Sequence, residues 1–166
     1  MTIDSVAALL FSPDKKKVLL IERRDVPVWV LPGGGVEKGE DPQVAVVREF
    51  LEETGLNVTV TRLVGHYTPI NRLTKSTHLY ECTFTGGTLS RSEETRNVSF
   101  FPLDQLPRLL PPPYSSWIQD GLLNLPPLTK SLDSITYFAL FQYLFTHPIL
   151  TIRFLLARFG YPINKR

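Results

Sequence analysis

Three glutamates, Glu49, Glu52 and Glu53, stand at spacings of three and four residues, and on a helix those spacings bring carboxylates into one shared volume. Like charges so placed destabilise a helix by roughly a few tenths of a kcal/mol per pair, so something should compensate them. Two readings are open. One is a solvated acidic helix surface. The other is a site for a hard divalent cation, Mg²⁺ or Mn²⁺, whose preferred ligands are carboxylates, carbonyls and water. The loop Pro32-Gly33-Gly34-Gly35 and then Gly39 precede the glutamates, and glycine allows a backbone to approach a ligand or metal closely; the same glycines also suit an ordinary tight turn. No Gly-Lys-Ser/Thr follows at P-loop spacing, and Gly33, Gly35 and Gly39 do not fit the dinucleotide fingerprint.

These residues need a helix to hold them, and the sequence supplies its ends. Asp41 offers an N-cap, Pro42 the first helical position and Gly55 a C-terminal cap. The helix between them has about twelve residues, with Val44, Val47 and Leu51 as its expected buried stripe and the three glutamates on a different face. Around it lie β-type runs at Val6 to Phe11, Val18 to Glu22, Val58 to Tyr67, Leu79 to Thr85 and Val98 to Pro102. The Ser12-Pro13-Asp14 turn suggests a hairpin between the first two runs, and hence a mixed rather than a purely parallel sheet.

Read together, Gly34, Glu40, Arg48-Glu49-Phe50, Glu52-Glu53 and Gly55-Leu56 match the signature of the Nudix hydrolases at every defined position. Trp29-Val30-Leu31-Pro32-Gly33 and Phe100 to Pro107 also resemble that family, and the resemblance covers about residues 3 to 125. It implies an α/β/α sandwich on a mixed β-sheet, in which the signature forms a loop, helix and loop that hold divalent metal. It also implies hydrolysis of the diphosphate linkage of a nucleoside diphosphate derivative by attack of water on phosphorus. By matched position, Glu49, Glu52 and Glu53 are the expected side-chain ligands, the Gly34 region an expected carbonyl donor, and Arg48 the guanidinium that holds the glutamates in place. Glu40, near the helix start, is expected to be structural. The general base is Glu49 or, as in family members that take it from another loop, a distal carboxylate; Glu93 and Glu94 are suitably placed, with Glu94 preferred. A catalytically silent module of this family that binds a nucleotide or RNA is the rival reading, against which the intact glutamate set argues.

The substrate is less legible. Arg23 and Arg24 follow the second β run and are candidate phosphate contacts, or part of a solvated turn. Trp29, Tyr67 and Tyr80 are the aromatics that would stack on a base or pack in a core, and His66 and His78 receive no role. Nucleoside triphosphates, ADP-ribose type compounds and nucleotide sugars all remain open.

Composition bounds the rest. The chain has 166 residues, 43% of them hydrophobic, and a net charge of +2, which fits a folded globular chain and gives no strong nucleic-acid signal. A single cysteine, Cys82, excludes a disulfide framework and points to the cytoplasm, and Met1 to Phe11 does not read as a signal peptide. The charge is uneven: residues 130 to 166 hold five basic and one acidic side chain, against 13 and 15 before them. With prolines at 111 to 113, 126 and 127, this places a boundary near residue 125, between a Nudix unit at 1–125 and an extension at 126–166. Two apolar runs, 135–145 and 149–159, split by His147-Pro148, predict a helical hairpin. Each is too short to span a bilayer, so residues 131–160 are expected to pack on the core or form a homodimer contact, or to lie on a membrane surface aided by Arg153, Arg158, Lys165 and Arg166.

Overall fold

The computed structural model describes residues 3–158 and 161. Its strands form two sheets. The larger runs β4-β1-β6-β5-β8, with β1 Ser5–Leu10, β4 Gly33–Gly35, β5 Leu56–Thr68, β6 Thr77–Gly87 and β8 Leu128–Ser131. The smaller runs β3-β2-β7, with β2 Lys17–Arg23, β3 Trp29–Val30 and β7 Thr95–Pro102. β1 pairs parallel to β6 and antiparallel to β4, and β5 pairs antiparallel to β6 and parallel to β8, so the larger sheet is mixed.

β1 and β2 are apolar at successive positions because both their faces are covered. Val6, Ala8, Leu10, Leu19 and Ile21 join the core beneath helix α1, Pro42–Thr54, whereas Ala7, Leu9, Phe11, Val18 and Leu20 join the one beneath α2, Tyr114–Leu122. Helix, sheets and helix therefore stack as an α/β/α sandwich. The tight Ser12-to-Lys17 turn forms as expected, but β1 and β2 meet only at one bridge, Phe11 to Val18, before separating into different sheets. The hairpin expected from the turn is corrected accordingly: β2 finds its partners in β3 and β7.

The ends of α1 behave as the sequence predicts. Asp41 accepts a hydrogen bond from the Gln43 N–H, Pro42 opens the helix, and Gly55 closes it at φ 72° with its N–H donated to the Leu51 carbonyl. The buried stripe is different. Val44 is 59% and Leu51 44% exposed, and the residues under cover are Ala45, Val46, Phe50 and Thr54. Of the expected stripe only Val47 packs against the core, partly buried; the helix is turned so that Val46 and Phe50 carry the apolar contact, with Ala45 and Thr54 beside them.

Beyond residue 125 the chain stays attached to the sandwich. β8 adds an edge strand to β5, and helices α3, Tyr137–Thr146, and α4, Pro148–Arg158, follow as a hairpin, with Thr136 capping α3 through the Ala139 N–H. Among the described residues, no helix is long and apolar enough to cross a membrane.

Candidate metal and phosphate site

The orientation of α1 grades its three glutamates. At about 100° per residue, Glu53 lies about 20° round the helix from buried Val46, on the side of Ala45, Glu49 about 60° from it and Glu52 about 120°, just past Ala45. The exposures follow this order. The Glu52 side chain is 58% exposed and that of Glu49 17%, while Glu53 turns inward, its Oε2 accepting the Gly33 N–H at 2.8 Å. Glu49 and Glu53 are thus both half-buried beside β4, whereas Glu52 stands in solvent.

β4 carries the other half of the site. Gly33 and Gly34 pair with Ala7 and Val6 of β1, which lays this short strand beside α1. A Cβ at Gly34 would overlap the Glu49 carboxylate, so the absence of a side chain there is what lets that carboxylate rest on the backbone. The glycine loop is thus an edge strand. Glycine disfavours strands, which is why sequence pattern leaves it as a loop; here pairing with β1 overrides that preference.

Arg48 ties the cluster together. Its Nε and Nη2 donate to both Glu40 oxygens at 2.9 and 3.0 Å, Nη1 donates to Glu49 at 3.0 Å and Glu52 at 3.4 Å, and Nη2 also reaches the Gly35 carbonyl at 3.1 Å. This is the bracing expected of Arg48, and the planar fork is what allows one side chain to span four groups. With the Arg48 fork and the Glu37 N–H both donating to it, Glu40 is held at a pKa of about 2.

The remaining glutamates move the other way. Burial pushes Glu53 up to about 8, with Glu49 and Glu94 adding repulsion against the Gly33 bond and the Arg23 charge. Burial also raises Glu49, against Arg48 and with Glu52 and Glu94 adding to the rise. Desolvation first, and mutual repulsion second, therefore disfavour charging Glu49 and Glu53, and a bound cation would offset both. Among the described residues, no three His, Cys, Asp or Glu side chains converge tightly enough to grip one ion as they stand, because Arg48 bridges Glu49 to the outward Glu52. The donor chemistry nonetheless fits a hard divalent cation: carboxylate oxygens, partly desolvated and mutually repelling, beside a glycine backbone.

Three other segments border the cluster. Glu94 lies in the turn before β7, and its charge acts on both Glu49 and Glu53. Arg23, at the end of β2, donates to both Asp25 oxygens and leaves its side chain 48% exposed, and its charge reaches Glu53 and Tyr114. Arg24 donates its Nε to the Ser92 carbonyl and its N–H to the Glu94 carbonyl, which ties it to the Glu94 segment. Tyr114, at the start of α2, has its hydroxyl pushed up by burial, and Arg23 and Glu53 both act on it electrostatically; no sequence signal marked it.

The remaining aromatics are structural. Trp29 packs edge-on against Phe101, and Tyr67 is buried with its hydroxyl donated to Asp120, which also takes Lys130. Tyr80 is buried and pairs with His78, and His66 bonds Ser76. Cys82 is buried, its thiol pushed up to about 12 by burial, which keeps it inert.

The NUDIX domain model matches residues 1–121 of the chain. A putative 8-oxo-dGTP diphosphatase of Bacillus subtilis is 35% identical over 108 residues, 64% of this chain and 72% of that protein. An ADP-ribose pyrophosphatase of Methanocaldococcus jannaschii is 40% identical over 100 residues, 56% of this chain and 59% of its own length. Among solved structures, an ADP-ribose pyrophosphatase of Streptococcus suis superimposes with a TM-score of 0.64 at 27% identity, covering 78% of this chain and 99% of that one.

Proposed function

The chain belongs to the Nudix hydrolases and is a pyrophosphohydrolase of that family; on that premise, we propose that it cleaves the diphosphate linkage of a nucleoside diphosphate derivative at the cluster formed by Glu49, Glu52 and Glu53. Nucleoside triphosphates, including oxidised ones, and ADP-ribose type compounds lead the substrate classes, because relatives carry names of both kinds; nucleotide sugars follow. The observation that carries the reading is the gathering of two carboxylates on the β4 glycines, Glu49 resting where a Gly34 Cβ would stand and Glu53 accepting the Gly33 N–H.

Glu49, Glu52 and Glu53 would hold Mg²⁺ or Mn²⁺, with a carbonyl from the Gly34 region. When bound, the divalent ion neutralises phosphate charge and lowers the pKa of water. The protein's own groups do the rest. Arg48 keeps Glu49 and Glu52 at one edge of α1, and Gly34 leaves room for the Glu49 carboxylate. Glu94, whose charge already reaches the cluster, takes the proton of the attacking water, with Glu49 the alternative base. As water attacks phosphorus, the bridging P–O bond breaks, and the guanidinium of Arg23 offers donors to a phosphate oxygen.

Residues 1–125 act as the catalytic unit in this reading and 126–166 as an extension docked on it, in a cytoplasmic protein. The aromatic face of α3 and the start of α4, where Phe138, Phe145 and Ile149 are about 70% exposed, is where a homodimer or a membrane surface would be met. The latter no longer draws on Arg153, which is buried; the Arg158 side chain and Lys165 and Arg166 lie outside the described residues. Sedimentation alone and with anionic liposomes separates the two.

The deciding assay is a panel of nucleoside triphosphates, 8-oxo-dGTP, ADP-ribose, nucleotide sugars, dinucleoside polyphosphates and capped RNA, with Mg²⁺ and then Mn²⁺. Hydrolysis of one class is the expected result. Binding of a nucleotide or RNA without turnover of any would replace the enzyme by the silent module.

A further inference from the structure

Arg153 sits in an apolar helix, where an arginine is expected to face water or lipid headgroups. It does neither. Its side chain is buried, with Nε donating to the Asp25 carbonyl at 2.6 Å and Nη2 to the Arg24 carbonyl at 2.8 Å. These two residues, 128 and 129 positions earlier in the chain, form the turn after β2. That turn is a junction. Asp25 holds Arg23 through two hydrogen bonds, and Arg24 holds the Glu94 segment through its N–H and its guanidinium. Leu150, one turn earlier in α4, packs against the core that contains Val26, Val28 and the buried face of α1, so the helix is seated where the bonds need it.

We propose that Arg153 is a positioning residue for this site: from α4 it fixes the Arg24–Asp25 turn, and through that turn it sets both the guanidinium of Arg23 and the segment bearing Glu94 beside the glutamate cluster. The C-terminal extension thereby completes the substrate side of the site. This rests on the reading of Arg23 and Glu94 given above. A helix held only for stability would need apolar contacts of the Leu150 kind. Two charge-assisted bonds to successive carbonyls instead fix the turn's orientation as well as its place. Burying a guanidinium is costly, so this anchor is retained only if its bonds are made.

The test uses the full chain and four proteins: wild type, Arg153→Met, Arg153→Lys, and Ile152→Ala as a control on an exposed position of the same helix. Steady-state kinetics are run with ADP-ribose and 8-oxo-dGTP in Mn²⁺, and hydrogen exchange is followed in residues 23–26 and 92–95. Arg153→Met should lower kcat/KM at least tenfold with KM raised, and should speed exchange in those two segments while α1 and β5 keep wild-type protection. Arg153→Lys should recover part of both effects, and Ile152→Ala should match wild type. Unchanged exchange and kinetics in Arg153→Met overturn the proposal. So does a fall in kcat at constant KM with faster exchange throughout, which is the signature of lost stability alone. If wild type turns over neither substrate, the functional reading is what suffers; exchange then decides for Arg153, since loosening confined to the two segments upholds it and none defeats it. Should Arg153→Met not fold, Arg153→Lys and Arg153→Gln carry the same comparison.

Discussion

Placing one methyl group at each of two neighbouring glycines should separate fold from activity. At Gly33 the backbone has φ 152°, and a Cβ would overlap the Val6 carbonyl oxygen and come within 2.7 Å of the Ala7 Cα. Neither atom can rotate away, because both belong to the backbone of β1. Strain from the positive φ costs about 1–3 kcal/mol, and overpacking adds a similar amount, so Gly33→Ala should lose roughly 2–5 kcal/mol. At Gly34 the atoms nearest to an added Cβ are those of the Glu49 carboxylate, the far end of a side chain that can swing aside. Stability there should change by less than about 1 kcal/mol, and replacing glycine even gains a little through the unfolded chain. Activity should respond in the opposite order. Gly34→Ala moves Glu49 off its seat and should cut kcat/KM on the order of a hundredfold in a protein that melts like wild type. Urea denaturation with hydrolysis of whichever substrate the panel identifies measures both. Wild-type activity in Gly34→Ala would refute the placement of Glu49, and wild-type stability in Gly33→Ala would refute the packing of β4 against β1.

Further outcomes follow from the same geometry. Glu52→Gln should lower the catalytic rate about a hundredfold or more with no loss of stability, because Glu52 is an exposed anionic donor; melting and kinetics on one preparation check it, and a wild-type rate defeats the site assignment. In metal-free protein, Glu53 titrates near 8 when folded against an ordinary value of 4.5, so the unfolded chain gives up its proton first and stability should fall as pH rises through that interval. At about 1.4 kcal/mol per pH unit the loss is at most about 5 kcal/mol. Added Mg²⁺ should restore it at pH 8, and Glu53→Gln should flatten the profile; parallel profiles in urea denaturation for the two proteins would contradict this. Tyr67→Phe should cost about 1–2 kcal/mol, because it leaves one oxygen of the buried Asp120 without the donor at 2.7 Å; thermal melting measures it, and the active site should be untouched.

What could be read without coordinates was local. The caps of α1, the spacing of its glutamates and the bracing role of Arg48 depend on residues within a few turns of each other, and local geometry follows from local sequence. The short edge strands β3, β4 and β8 were not legible, since they exist only through partners elsewhere in the chain. For the same reason two of the three residues expected on the buried face of α1, Val44 and Leu51, are exposed: valines and leucines stand on several sides of this helix, and the strands beneath it decide which side is covered. Tertiary structure alone decided that Glu53 is half-buried against Gly33 while Glu52 remains in water. It also separated Arg23 from Arg24, leaving the first beside the cluster and committing the second to Ser92 and Glu94. Arg153 is the extreme case, because its partners lie more than a hundred residues away. A pattern records the order of residues along one dimension. Charge burial and hydrogen-bond choice depend on which distant segments meet in three, and that is set only once the sheets have formed.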